Sequence, residues 1–174
     1  MLKQLLLMKR TEAEEPIGLL IGAVRRRIKQ AIGSRVQPYR LTSQQFWVLV
    51  AIHEHPGYSL GELAAHIRMD VPTASRVVAT LMKRKLVQTR DDANDRRRAC
   101  LHLRPSGAAL GSELLDLAAG VRAAAVQGLS RAEQTALRIS LRKIIDNMER
   151  FQRAGAAAVA ASARQRAERR AVGE

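Results

Sequence analysis

The chain has 174 residues, a length that fits one domain with or without appendages. Hydrophobic residues make up 47% and aromatic residues only 3%, which excludes wholesale disorder and favours helices over a β-sandwich. The formal net charge of +14 favours a polyanionic partner, either nucleic acid or an anionic membrane surface. The single cysteine, Cys100, excludes an intramolecular disulfide.

Residues 1–15 are predicted to be an N-terminal extension. Their apolar patch is short and is interrupted by Lys3 and Gln4, so it does not fit a secretory signal. No run approaches the 18 apolar residues that a bilayer-spanning helix requires. We therefore expect a soluble cytoplasmic protein with no membrane partner.

The next segments predict helices from apolar spacing and capping residues. A helix over 16–35 has an apolar stripe at steps of three and four: Ile17, Leu20, Ile21, Val24 and Ile28. Thr42 with Gln45, and Ser59 with Glu62, have capping-box spacing. They predict one helix from about Thr42 to just before Pro56 and a second, short helix ending near Ile67.

A further helix is predicted after Asp70, which can cap it. We expect its apolar side to consist of Val71, Ala74, Val78 and Leu81. Its other side is polar, with Thr73, Arg76 and Thr80 at the centre and Ser75 and Lys83 at the edges.

The pattern then changes to period two, which predicts strands over Leu86–Arg90 and Ala99–Leu103 around the octet "DDANDRRR". On the second strand we expect Cys100 to face outward, on the side opposite Leu101. Helices are predicted over 105–126 and 130–152, the latter with a capping box of Ser130 and Glu133. The basic Ala/Arg-rich tail, 154–174, has few large apolar residues and is expected to be disordered.

Helix, short helix, helix and β-ribbon is the order of a winged helix-turn-helix. The polar face after Asp70 fits the major groove of DNA, and the N-terminus of that helix offers backbone N–H groups to phosphate. The arginine-rich ribbon tip, Arg96–Arg98, is narrow enough for the minor groove, with Asp95 orienting Arg97. A solvated turn is the alternative explanation for these arginines.

Residues 72–107 resemble the recognition helix and wing of the multiple-antibiotic-resistance regulator (MarR) family of bacterial transcription factors. The matching positions are Pro72, Thr73, Ser75, Arg76, Leu86, Val87, Asp95, Arg96, Arg97, Leu103, Pro105 and Gly107. The resemblance covers 16–152 and implies an obligate homodimer on a palindromic or near-palindromic operator, usually repressing nearby genes. Two departures from the family pattern are Lys85, where glycine is usual, and Arg104, where threonine is common.

The predicted fold is mainly α with a small β-ribbon. A MarR-type domain over 16–153 contains a winged helix-turn-helix core at about 41–104 and dimerisation helices at about 16–35, 105–126 and 130–152. The apolar stripes of these outer helices exceed what one winged core can cover, so a homodimer is predicted, with a monomeric bundle as the alternative.

Other side chains give weaker signals. The resemblance implies a pocket for an aromatic or phenolic effector, for which Trp47, Arg26 and Arg27 are candidates; a core tryptophan with solvated arginines is the alternative. Metal binding is not predicted, because His53 and His55 are two residues apart and do not share a helical face, although His66 lies nearby in sequence. Cys100 is interpreted as an inert thiol.

No motif for catalysis is present, and neither an enzyme activity nor a cofactor is predicted. The leading hypothesis is a sequence-specific double-stranded DNA-binding transcriptional regulator, a repressor released by a small aromatic ligand. The DNA contacts are assigned to Pro72, Thr73, Ser75, Arg76, Thr80, Lys83, Asp95, Arg96, Arg97 and Arg98. A nonspecific architectural nucleic-acid-binding protein is the alternative, given the charge and the basic tail.

Overall fold

The computed structural model describes residues 15–92, 95 and 98–171, the side chains of 158 and 160–171 excepted. The helices are α1 (Ile17–Val36), α2 (Ser43–Glu54), α3 (Leu60–His66), α4 (Val71–Lys83), α5 (Pro105–Ala125) and α6 (Arg131–Ala171). A 3-10 turn, Gln37–Tyr39, links α1 to α2, and strands β1 (Val87–Asp91) and β2 (Ala99–Leu103) form an antiparallel ribbon. The predicted class, mainly helical with a small β-ribbon, is confirmed.

The chain is divided into two compact units, and the first ends at Ala125. Its centre is α2, which contacts α1, α3, α4, α5 and β2. Phe46, Leu49 and Ile52 of α2 are fully buried, as is Leu114 of α5. Each such side chain stabilises the fold by roughly 1.5–3 kcal/mol relative to an exposed one. A helix buried on nearly all sides thus forms the support for the short helices and the ribbon around it.

The predicted capping boxes form and fix where the helices begin. Thr42 accepts a hydrogen bond from the Gln45 amide, and the Gln45 side chain accepts one from the Thr42 amide at 2.9 Å. Ser59 and Glu62 make the same reciprocal pair at the start of α3. Each box satisfies two amide donors that a helix start would otherwise leave without a partner.

The ribbon differs from the sequence prediction in two ways. Strand β1 begins at Val87, one residue later than expected, and pairs with β2 in the register Val87 to Leu103. The expectation that Cys100 faces outward is wrong, because both Cys100 and Leu101 are buried. Consecutive strand residues point to opposite faces, so both faces of β2 are covered here. The periodicity of one strand does not reveal this second covering layer, which includes α3.

The buried side of α4 is also shifted from the prediction. Ala74, Val77, Val78 and Leu81 are buried, whereas Val71 is 49% exposed. Val71 is the first residue of the helix and lies beyond the edge of the packed surface. Val77 takes the place of Val71 on the buried side, where it lies three residues after Ala74 and four before Leu81.

In the second compact unit, α6 begins at Arg131 with the predicted capping box of Ser130 and Glu133. The tail 154–174, expected to be disordered, is helical as far as Ala171, and residues 172–174 lie outside the described residues. Large apolar residues are scarce in this segment, which limits its packing. Alanine and arginine both have high intrinsic helix propensity, and no proline interrupts the segment.

Candidate nucleic-acid interface

A tight turn joins α3 to α4 and creates the helix-turn-helix. Arg68 adopts a left-handed conformation with φ of 52°. The amide of Met69 donates to the Ala64 carbonyl at 2.9 Å, which closes the end of α3. Leu63 and Ala64 are buried, as is Ala74 of α4, so the two helices are fixed against each other by small and medium apolar side chains.

The outer face of α4 carries the residues assigned to DNA. Pro72, Ser75, Arg76, Thr80 and Lys83 are exposed, and Thr73 is half-buried at the edge. Steps of three and four residues place them on one side of the helix. We call this set the α4 polar stripe.

Two hydrogen bonds order the α4 polar stripe. The Arg76 guanidinium donates to the Thr73 hydroxyl at 3.1 Å. The Thr80 hydroxyl donates to the Arg76 carbonyl at 2.9 Å, so its oxygen remains available as an acceptor. A guanidinium and short hydroxyls on an exposed helix face are groups that read base edges in the major groove.

The N-terminus of α4 offers less to a phosphate than the sequence predicted. The Asp70 carboxylate accepts the Thr73 amide at 2.8 Å, and Pro72 has no N–H. This amide hydrogen bond, followed by the one from the Thr73 side chain, lowers the pKa of Asp70. Of the first three helical residues, only Val71 has a backbone N–H that could bind a phosphate. The Asp70 carboxylate also already lies at the positive end of the helix dipole.

The C-terminus of α4 turns sharply into the ribbon. Lys85, which stands where the family pattern usually has glycine, is left-handed with φ of 58°. The Leu86 amide donates to the Leu81 carbonyl at 3.0 Å and the Lys85 amide to the Met82 carbonyl at 2.9 Å. This is the Schellman arrangement, in which a left-handed residue satisfies the last carbonyls of the helix.

A residue that the sequence did not single out, Arg84, fixes the same end of α4 to the start of α2. Its guanidinium donates to the carbonyl oxygens of Arg40 and Tyr39 at 2.9 and 3.0 Å. The residues are 44 and 45 positions apart, so no local pattern indicates the contact. The orientation of the recognition helix therefore depends on an interaction outside the helix-turn-helix itself.

The base of the wing is held by an ion-pair network. The Arg98 guanidinium lies 2.6 Å from a carboxylate oxygen of Glu62 and 3.4 Å from one of Asp92. Hydrogen bonds from the Ser59 amide and hydroxyl, and then from Arg98, lower the pKa of Glu62 to about 2. The bond to Glu62 is also the main cause of the raised pKa of Arg98. Arg98 thus joins the wing to α3, a role that differs from the DNA contact predicted for it.

The rest of the predicted wing contacts are only partly described. Asp95 lies in the turn, where its amide donates to the Asp92 carboxylate at 3.3 Å and its carbonyl accepts from the Arg98 amide at 2.9 Å. Arg96 and Arg97 lie outside the described residues, as does the expected pairing of Asp95 with Arg97. Cys100 is next to this network, 3.6 Å from Asp92, and burial raises the pKa of its thiol.

The surroundings of Trp47 differ from the effector site predicted. Trp47 is half-buried and lies edge-to-face with Phe46, at 4.8 Å between ring centroids. The cation over its ring is Arg122 of α5, at 5.8 Å, which also makes two hydrogen bonds of 2.7 and 3.0 Å to the Glu54 carboxylate. Arg26 and Arg27 are exposed on α1. No local pattern in the sequence indicates Arg122, which is 75 residues from Trp47.

Within the described part of the chain, no helix is both long enough and apolar enough to cross a membrane. The helix-turn-helix and wing segment matches a known family model, described as MarR family, over residues 41–98.

The chain is also similar to individual proteins over most of its length. It is 31% identical over 138 residues to the HTH-type transcriptional repressor NicR of Pseudomonas putida, an alignment that covers 79% of this chain and 87% of NicR. A structure of BpsR from Bordetella bronchiseptica, whose DNA binding is regulated by 6-hydroxynicotinic acid, superposes with a TM-score of 0.64 at 30% identity, over 76% of this chain and 94% of that one.

A MarR-family regulator from Listeria monocytogenes in complex with a 26mer DNA superposes with a TM-score of 0.66 at 25% identity, over 77% of this chain and 89% of that chain. The fold, the family model and the extended similarity to a repressor agree. The chain belongs to the MarR family of DNA-binding transcriptional regulators, which are not enzymes.

Proposed function

We propose that this regulator is a sequence-specific repressor that binds a pseudo-palindromic operator as a homodimer and is released by a small aromatic effector. The observation that carries the proposal is the α4 polar stripe. Arg76 is exposed at its centre and Ser75 at its edge, where they can reach base edges. An interface built only for phosphates does not require such short hydroxyl groups at fixed positions.

The wing contributes a second contact in this proposal. Arg96 and Arg97 enter the adjacent minor groove, where narrow A·T-rich tracts concentrate negative potential. The described base of the wing supports this, because the ion pair between Arg98 and Glu62 connects the ribbon to α3. Arg98 itself is assigned to holding the wing.

A homodimer is supported by apolar side chains that the single chain leaves exposed. On α1 these are the first members of the predicted stripe, and on α6 they follow its apolar positions: Ile17, Leu20, Ile21, Val24, Leu137, Leu141, Met148 and Phe151. The largest of these side chains, that of Phe151, is 73% exposed. Large apolar groups exposed on a helix are characteristic of an interaction surface, and a two-fold dimer presents two recognition helices to two half-sites.

Release by an aromatic effector is supported by the chemistry around Trp47. An indole face and the Arg122 guanidinium together suit an aromatic ring that carries a carboxylate. The DNA binding of the similar protein BpsR is regulated by 6-hydroxynicotinic acid, and NicR is a repressor. The effector site proposed here is therefore Trp47 with Arg122, with the exposed Arg26 and Arg27 contributing only charge.

Competition between DNAs tests the sequence specificity. DNA selected from the source genome should remain bound in a mobility-shift titration when random DNA is added in excess at physiological salt. Arg76→Ala should reduce the discrimination between selected and random DNA by about 1–3 kcal/mol. Arg138→Ala, a change of an exposed arginine on α6, should leave that discrimination unchanged.

The alternative is a nonspecific architectural nucleic-acid-binding protein, which the net charge of +14 favours. Equal competition by random DNA would support that function and contradict the repressor.

Sedimentation at several protein concentrations tests the homodimer separately.

The effector site can be tested by fluorescence, because Trp47 is the only tryptophan. Titration with 6-hydroxynicotinic acid or benzoate should quench its emission and release the selected DNA. Arg122→Met should weaken both effects, while Arg26→Met should change them little. Quenching that is unaffected by Arg122→Met would contradict the assignment.

A further inference from the structure

Side chains that are distant in the sequence lie close together where helices α2 and α3 end. Helix α2 ends at Glu54, followed by His55, and α3 ends at His66. The imidazole rings of His55 and His66 are 4.6 Å apart between centroids. One ligand atom from each of Glu54, His55 and His66 lies within 4.8 Å of the other two.

We propose that Glu54, His55 and His66 form a binding site for a divalent transition-metal ion such as Zn²⁺. Two imidazole nitrogens and one carboxylate oxygen are a common ligand set for zinc, which completes a tetrahedron with water. Bond lengths of about 2.0–2.1 Å place tetrahedral ligand atoms about 3.3 Å apart. Glu54 and His66 are exposed, so rotation about their side-chain bonds can bring the ligand atoms together.

His53 does not belong to this group. Its Nδ1 lies 2.6 Å from where a Cβ on Gly111 would stand, so its ring packs against α5. The sequence argument that His53 and His55 do not share a helical face therefore holds. The second histidine of the site comes from α3, and the spacing within α2 gives no indication of it.

The surrounding residues support the three ligands. The Tyr58 ring stacks on His55 at 4.8 Å with 9° between the planes, and it lies 5.6 Å from His66. Arg122 donates a hydrogen bond to each oxygen of the Glu54 carboxylate, at 2.7 and 3.0 Å, and so holds its orientation. Each carboxylate oxygen has two lone pairs, so Glu54 can hold both Arg122 and a metal ion. Such outer partners orient the ligands of metal sites.

Metal binding at this site would connect α2 and α3 across the turn Pro56–Tyr58. This turn is paired with β2, since the Gly57 amide donates to the Leu101 carbonyl and the Leu101 amide to the Tyr58 carbonyl, at 3.0 and 2.8 Å. The unfolded chain does not hold the three ligands together, so an ion that binds the folded chain stabilises it. Zn²⁺ is therefore expected to stabilise the helix-turn-helix without contacting the α4 polar stripe.

The test uses the full chain without a polyhistidine tag, freed of metal by a chelator, and calorimetric titration with ZnCl₂. One Zn²⁺ per chain is expected, with the affinity reduced about tenfold or more in His55→Ala and in His66→Ala. His53→Gln removes an imidazole from the same helix and should leave the affinity unchanged. Co²⁺ in place of Zn²⁺ should give the visible absorption of a tetrahedral nitrogen and oxygen site.

Thermal unfolding provides an independent readout. Zn²⁺ should raise the Tm of the wild-type chain but not that of His66→Ala, whose exposed side chain can be removed without loss of the fold. The absence of saturable Zn²⁺ binding to the wild-type chain would overturn the proposal. Equal affinity in wild type, His55→Ala and His66→Ala would also overturn it, as would an equal loss in His53→Gln.

Discussion

Gly107 fixes the distance between the start of α5 and the start of the wing. It is buried, and a Cβ at this position would overlap the carbonyl oxygen of Leu86 and lie 2.9 Å from its carbonyl carbon. Carbon atoms in good contact are about 3.5–4.0 Å apart. Two hydrogen bonds cross the same junction, from the Arg104 amide to the Leu86 carbonyl at 2.9 Å and from the Ser106 hydroxyl to the Lys85 carbonyl at 3.1 Å.

Gly107→Ala should therefore destabilise the chain strongly. The obstacle is backbone, which a rotamer change cannot remove, so the overlap should cost about 3 kcal/mol, the upper part of the range for overpacking. Loss of the hydrogen bond from Arg104 adds about 1 kcal/mol. The higher helix propensity of alanine offsets about 1 kcal/mol at most. The expected decrease in the free energy of unfolding is about 3 kcal/mol.

Urea denaturation followed by circular dichroism measures this change, at one fixed protein concentration because the proposed dimerisation would also affect stability. Gly120→Ala is the matched control on the same helix, since no heavy atom lies within 4 Å of its added Cβ. It should increase stability by about 0.5–1 kcal/mol. A Gly107→Ala variant within about 1 kcal/mol of wild type would show that the junction is not held as argued.

Three further predictions concern the wing and its base. The pKa of Glu62 is lowered to about 2 from its usual 4.5, so its charge stabilises the folded chain above pH 4.5, and this contribution is lost as the pH falls from 4.5 towards 2. Thermal melts of Glu62→Gln should lose less stability than wild type over that interval, and equal losses would contradict the ion-pair argument. Lys85→Gly should raise the free energy of unfolding by up to about 1 kcal/mol, measured in urea, because φ at this residue is 58°; a decrease would show that the lysine side chain matters more than the backbone. Burial raises the pKa of the Cys100 thiol, so iodoacetamide should alkylate the native chain more slowly than the urea-unfolded chain, and equal rates would refute the inert thiol.

Local sequence determined much of this fold. The capping boxes at Thr42, Ser59 and Ser130 join residues three positions apart, so their geometry follows once a helix forms. The order of helices and ribbon, and the polar stripe of α4, follow in the same way from apolar periodicity.

Packing between distant segments decided the rest. Arg98 meets Glu62 across 36 residues and Arg122 meets Glu54 across 68, while His55 meets His66 at the ends of two helices. These contacts give Arg98 a partner at the base of the wing, and they place Arg122 beside Trp47. A charged side chain has many partners available along the sequence, and only the arrangement of helices selects one. Cys100 is buried for the same reason, because the layer that covers its side of β2 comes from elsewhere in the chain.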